Sequence, residues 1–298
     1  MDVQAQEQGM AQDTALIVEK RGYQSHQLIQ AAALNTRHSN ALEEAFRANP
    51  TAWTSDHFTD HQSYVIGAIY TSIAFLEAMV NEVFSDASYA LSVKKRQEVR
   101  KRGTSVASIM TPIFSEESAR MKIELALLEE QDLNAGLLTA GLGSQETLAL
   151  AHWWNQRDVK GKLLNQWKPM PEKLKQALKL AGRPALTNDA SYQDVLLLIE
   201  LRNSVVHPMP ASIFPWSNGT GASVPMSMYE FNEKLKGKFS LNHLPGGQDN
   251  SFPIDHFSHD CTVWAVTAVF AVARDFFDKL GIGNKFPYGA SVPRLKAS

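Results

Sequence analysis

The sequence predicts an all-α fold, and three stretches carry that prediction. Tyr64 to Val80 is a long apolar run with Glu77 as its sole charge, and the apolar character continues to Phe84 past Asn81 and Glu82. A second run, Cys261-Thr-Val-Trp-Ala-Val-Thr-Ala-Val-Phe-Ala-Val-Ala-Arg-Asp-Phe-Phe277, is apolar on nearly every side until Gly281-Ile-Gly283 ends it. The third is Gln193-Asp-Val-Leu-Leu-Leu-Ile-Glu-Leu-Arg-Asn-Ser-Val-Val-His-Pro208, an apolar helix pattern closed by a polar cluster and a proline. Their lengths exceed those of ordinary strands. The β-branched content of Val263 to Val272 leaves a strand there as the alternative, against which length and alanine spacing favour helix.

In chain order, residues 1–60 read as a polar N-terminal helical extension, with eight Asp/Glu against four Lys/Arg. The apolar spacing Ala15, Leu16, Ile17, then Leu28, Ile29, Ala32, Ala33, gives it one or two amphipathic helices laid over the rest. Asn49-Pro50 breaks the pattern, and Thr54-Ser55-Asp56 offers N-cap chemistry for the helix that follows. Residues 61–282 form the bundle. Glu116 to Glu130 has helix formers with adjacent apolar faces. After Gly136, Gly141 and Gly143, the residues Leu148, Leu150, Trp153, Trp154 and then Leu163, Leu164, Trp167 suggest further helical packing, with the tryptophans read as core rather than as base-stacking platforms. Within the bundle, 209–255 is an irregular insertion rich in Pro and Gly, with room only for short helical or extended pieces. Residues 283–298 are a C-terminal tail. No internal repeat is evident.

Composition narrows the function classes. The chain has 298 residues, 44% of them hydrophobic, enough for one substantial core or two modest ones. A net charge of −2 argues against a globally basic nucleic-acid binder, so any RNA contact needs a local patch. Two such patches stand out. Lys94, Lys95, Arg96, Arg100, Lys101 and Arg102 surround the single acid Glu98, and Arg157 to Arg183 holds eight basic residues against Asp158 and Glu172. Either is a solvated face or a phosphate-contacting one. Cys261, the only cysteine, rules out an intrachain disulfide and a thiolate cluster and fits a reducing cytosol. The first fifteen residues lack the basic start and apolar core of a secretory signal, so a cytoplasmic location is expected. Tyr64–Val80 is short for a span and has no basic flank, and it reads as a core helix rather than a membrane segment.

The chemistry gathers at the end of the third stretch. Five of the seven residues from Val195 to Leu201 are Leu or Ile, which predicts a helix buried on most sides. Glu200, Arg202, Asn203 and His207 are therefore costly there unless paired or used. At 100° per residue, Glu200, Asn203 and His207 share one stripe, and Arg202 falls on the apolar stripe beside it. Pro208 disfavours helical geometry at His207, which sets the imidazole at the helix end.

Leu201-Arg202-Asn203-Ser204-Val205-Val206-His207-Pro208 resembles the R-x4–6-H motif of the HEPN (higher eukaryotes and prokaryotes nucleotide-binding) superfamily. Its position at the end of an apolar helix, the Asn after the Arg, and the long earlier helix with Glu77, Asn81 and Glu82 make the likeness more specific. Leu163 to Pro171 also loosely resembles the stretch that precedes the motif helix. The resemblance spans roughly residues 60–282 and is strongest over 193–208. It implies a HEPN-like helical bundle and a metal-independent, cofactor-free endoribonuclease of toxin–antitoxin or antiviral defence type, with RNA as substrate and a cognate antitoxin or defence partner. In such an enzyme the imidazole moves a proton at the ribose 2′-hydroxyl or the leaving 5′-oxygen, and the guanidinium holds the scissile phosphate. One motif supplies one His, so the resemblance also implies a homodimer whose two motifs face a composite cleft and leave a 2′,3′-cyclic phosphate. Arg202, Asn203 and His207 are then catalytic, with Glu200 and Glu77 orienting the Arg.

Two readings compete. A catalytically silent HEPN-like module would bind nucleic acid or protein, with Arg202 buried against Glu77 or Glu82. A metal-dependent hydrolase would join Asp56-His57-Phe-Thr-Asp60-His61 to Asp255-His256-Phe-Ser-His259-Asp260, so that His57, His61, His256 and His259 share a divalent ion where two helix starts meet. First-turn Asp and Ser with incidental His explain those clusters more simply. No phosphate-loop, dinucleotide-binding or G-x-S-x-G pattern is present.

Overall fold

The computed structural model describes residues 23–110, 138–186, 189–206, 226–245 and 253–283, with the backbone alone over 93–110 and 226–229. The fold is all-α: the described residues hold seven α-helices and short 3-10 segments, with no strand among them. They are α1 Gln24–Ala48, α2 Ser55–Met110, α3 Ser144–Trp154, α4 Met170–Leu180, α5 Ala190–Val206, α6 Met226–Leu235 and α7 His259–Leu280. The helix read over 116–130, the apolar triplet 15–17, His207, about half of the insertion and nearly all of the tail lie outside the described residues.

The first half of α2 is the centre of the core. Val65, Ala68, Ile69, Phe75, Leu76, Val80, Val83 and Phe84 are wholly buried, the repeating three-and-four spacing of a packed helix face. Ser55–Ser92 is long and apolar enough to cross a membrane, but half of its most apolar window is buried inside this fold. Helix α1 crosses α2 with a stripe unusual in composition: Ser25, Ile29, Ala32, Ala33, Thr36, Ser39 and Asn40. Small and polar side chains there let two backbones come close. A Cβ added to Gly67 of α2 would lie 2.8 Å from the Asn35 amide nitrogen. The N-terminal extension is thus built into the core from residue 25 onward.

Helices α3 and α4 close one side. Trp154 stacks on Phe84 with centroids 5.4 Å apart and planes 6° apart, and Trp153 packs on the same ring at 4.6 Å. Helix α4 buries Met170, Lys173, Leu174, Ala177 and Leu178, an i, i+3, i+4, i+7, i+8 set. Between the two helices, residues 155–169 do not continue the helical packing that the sequence suggests. They form a hydrogen-bonded loop with an antiparallel bridge between Arg157 and Leu163, because Gly161 takes φ +78, which turns the chain back.

Helix α7 settles the choice between helix and strand for Val263–Val272 in favour of helix. Ser258 caps it, its hydroxyl accepting the Cys261 N–H at 3.1 Å. At the other end Gly281 adopts φ +82, the Gly281 N–H reaches Asp278 O at 3.0 Å, and the Ile282 N–H reaches Phe277 O at 3.0 Å. Gly281→Ala would place a side chain in the left-handed region and is expected to cost about 1 kcal/mol. A thermal melt checks this, with Tm lower by roughly 3 °C.

Candidate active site

Helix α5 differs from its sequence reading. Only Val195, Leu198 and Leu201 are fully buried, one narrow stripe packed on α7 and α2. Leu196, Leu197, Ile199 and Val205 are half-buried, and Val206 is 37% exposed. A run of apolar residues fills every azimuth of a helix, but only the azimuth facing a partner is covered. The outward face therefore carries Leu196, Glu200 and Asn203, with Val206 exposed at its flank.

On the last turns of α5, Arg202 is half-buried while Glu200 and Asn203 are exposed, so Glu200 and Asn203 share an outward stripe as their spacing predicts. Ser204 donates its hydroxyl hydrogen to Leu201 O at 2.6 Å, which leaves it turned to the helix backbone. Among the described residues Arg202 makes no ion pair. His207 follows the last described residue of the helix.

The polar residues of α2 that the motif reading would recruit are occupied elsewhere. Glu77 lies 3.8 Å from Lys173 Nζ rather than against Arg202, and Asn81 Oδ1 accepts a Lys173 Nζ–H at 2.8 Å. Glu82 accepts from the Ser25 N–H at 2.9 Å and the Ser25 hydroxyl at 2.6 Å. Asp86 accepts from the Tyr23 hydroxyl at 2.7 Å and the Leu138 N–H at 2.9 Å. These side chains tie α1, α4 and the segment before α3 to α2. Burial pushes the Glu82 carboxyl up, and burial also pulls the Lys173 ammonium down against the attraction of Glu77.

The two helix starts rich in His do meet, around a carboxylate that no sequence pattern marks. Glu43 Oε1 accepts the His259 N–H at 2.6 Å and lies 3.2 Å from His61 Nε2, while Arg47 Nη2 donates to Glu43 Oε2 at 3.0 Å. His259 Nδ1 donates to Thr36 O at 3.1 Å. Glu43 thus caps α7 from α1 and holds His61 of α2 in the same contact. Burial pushes the Glu43 carboxyl up, but the bonds from His61 and the His259 N–H and the pull of both imidazoles outweigh it, leaving the carboxyl below its ordinary range. For His259 burial dominates over Glu43 and lowers the imidazole below its usual value. His57 instead bonds Thr54 at the start of α2, and His256 pairs with Asp255 at 2.6 Å and lies nearly perpendicular to the Phe239 ring. Among the described residues no three His, Cys, Asp or Glu side chains gather as a metal site. Burial pushes the Cys261 thiol up, which suits a packed side chain and not a nucleophile.

Of the basic segments, Lys94, Lys95, Arg96, Arg100, Lys101 and Arg102 lie on helical backbone in the second half of α2, where the backbone alone is described. In the second segment Trp167 departs from the core reading: it is 78% exposed. A cleft of about 640 Å³ lies toward the opposite end of α5, between Ser191, Asp194, Lys238, Phe239 and Trp264. Asp194 is about 12 Å along the helix axis from Arg202, at roughly 1.5 Å per residue. Compared with protein-family models, with curated proteins and with solved structures, the chain finds no match.

Proposed function

We propose that the chain is a metal-independent endoribonuclease whose reaction centre is Arg202, Asn203 and His207, completed by the same residues of a second copy. The observation that carries this reading is the state of Arg202. Arg202 is a half-buried residue near the end of α5, beside an exposed Asn203, with no carboxylate paired to its guanidinium among the described residues. A guanidinium with no carboxylate partner is available to a phosphate, and its planar fork can hold two phosphate oxygens. The resemblance to HEPN proteins supplies the remaining parts.

The imidazole of His207 takes the proton from a ribose 2′-hydroxyl, and the freed oxygen attacks the adjacent phosphorus. The P–O5′ bond breaks, and the imidazole of the second copy gives its proton to the leaving 5′-oxygen. Arg202 holds the non-bridging oxygens as negative charge builds on them, and Asn203 orients the phosphate or the ring. The products are a 2′,3′-cyclic phosphate and a 5′-hydroxyl. For the second copy, α5 offers Leu196 and Val206, incompletely covered apolar side chains near Asn203.

The test compares an RNA oligonucleotide with the same sequence carrying 2′-deoxyriboses, both incubated in excess EDTA. The RNA is expected to be cut and the deoxy strand left whole. Cleavage of both strands, or cleavage abolished by EDTA, would overturn the mechanism. A folded chain that binds RNA without cutting it would leave the silent binding module as the better reading.

A further inference from the structure

We infer that residues 155–169 and the outward face of α4 form a surface that holds single-stranded RNA, with Trp167 as the platform for one unpaired base. This rests on the RNA reading above, though not on cleavage. The loop is built rather than slack. Asp158 Oδ1 accepts the N–H groups of both Lys160 and Lys162 at 2.8 Å, and the Asp158 N–H returns to Lys162 O at 2.9 Å. Arg157 Nη1 donates to Gly161 O at 2.6 Å. Asn165, only 3% exposed, donates to Trp153 O at 2.7 Å and to Gln156 Oε1 at 2.9 Å. Two residues beyond that anchor the loop leaves Trp167 78% exposed, although burying an indole is among the larger gains available to a fold.

Charge selects the partner. Both acids of the segment are engaged locally, Asp158 by the loop backbone and Glu172 by Lys168. Lys160, Lys162, Lys175 and Lys179 make no ion pair among the described residues. Lys175 and Lys179 stand one turn apart on α4, opposite the buried stripe of Met170, Leu174, Ala177 and Leu178. An exposed aromatic ring on a loop and helix that also carry ammonium groups without ion pairs matches a strand that offers phosphates along its backbone and bases to stack. A membrane surface fits less well. The apolar face of α4 is already in the core, so the helix has none to lay into lipid. In duplex RNA the bases are already stacked on one another, so a ring face reaches one only at the cost of unstacking it.

The experiment uses the full chain carrying His207→Ala, so that binding is read without cutting. Fluorescence anisotropy follows a labelled twelve-nucleotide uridine RNA, its duplex counterpart, and vesicles containing phosphatidylserine. Adding Trp167→Ala is expected to weaken single-strand binding about tenfold and to change duplex binding less than twofold. Replacing Lys175 and Lys179 with Ala is expected to reduce the slope of log affinity against log salt by about 1.4, roughly 0.7 for each phosphate left without its ammonium. Unchanged single-strand affinity in Trp167→Ala would overturn the inference, as would a loss confined to vesicle binding, which would assign the loop to lipid. If the parent chain cuts no RNA yet Trp167 still governs binding, the nuclease reading falls and this surface stands. If RNA is cut and Trp167 proves irrelevant to binding, the reverse holds.

Discussion

His207→Ala is expected to lower RNA cleavage by about a thousandfold while leaving the thermal midpoint nearly unchanged. General acid–base catalysis by a positioned imidazole is commonly worth about 10² to 10⁴ in rate, and here one substitution removes the base from one half of the cleft and the acid from the other. Arg202→Ala should cost about a hundredfold or more, because charge on the transferring phosphate then goes unmet. Arg202→Lys should recover only part of that, since an ammonium offers a point charge where the guanidinium offers a fork. These variants also separate chemistry from structure. Arg202 has no ion pair to lose among the described residues, so Arg202→Ala should melt within a degree or two of the parent. Were that variant to unfold, Arg202 would be a structural residue and the silent module would gain.

The second large effect falls on stability. Glu43→Ala removes the carboxylate that caps α7 and holds His61, leaving the His259 N–H and the His61 ring without their acceptor. Breaking a buried charge-assisted contact of this kind costs about 3 kcal/mol, or roughly 8 °C in Tm for a chain of this size. The same contact predicts how stability depends on pH. His259 has a folded value below its ordinary 6.5, so the folded state binds fewer protons. Its contribution is complete above pH 6.5 and is lost as pH falls below that value. Glu43, held below its ordinary 4.5, contributes above that pH and loses its contribution as pH falls further. Both act in one direction. Glu82, held above its ordinary 4.5, acts the other way, so the His259 contribution is read as a decline in urea stability from about pH 7 to about pH 5 that is steeper in the parent than in a chain lacking that imidazole. His259→Asn, which keeps a donor for Thr36 O, should flatten that decline, and Glu43→Gln should flatten the part below pH 4.5.

What the sequence discloses follows from what each pattern encodes. Helix α7 is legible because Ser258 and Gly281 bracket a run too long for a strand, and α2 because its first half is apolar over many turns. The position of α5 is legible and its burial is not, since composition says how much of a helix is apolar and not which faces find partners. Glu43 is hidden because a glutamate beside Glu44 on a polar helix looks like surface, and only the meeting of three helices makes it a cap. Trp167 is hidden for the opposite reason. Near Trp153 and Trp154 it looks like core, and nothing local announces the Asn165 anchor that turns the loop outward. A lysine at 173 on the buried stripe of α4 gives no warning either, because its partners Asn81 and Glu77 lie about ninety residues earlier. Long-range polar pairings of this sort have no period to detect.

The most direct measurement is the mass of the 5′-fragment released from a defined RNA oligonucleotide in EDTA. A guanidinium and an imidazole acting through the 2′-hydroxyl predict a fragment ending in a 2′,3′-cyclic phosphate, with a 5′-hydroxyl on its companion, and neither from the His207→Ala chain. A fragment ending in a 3′-hydroxyl, or equal yields from the parent and the variant, would contradict the account.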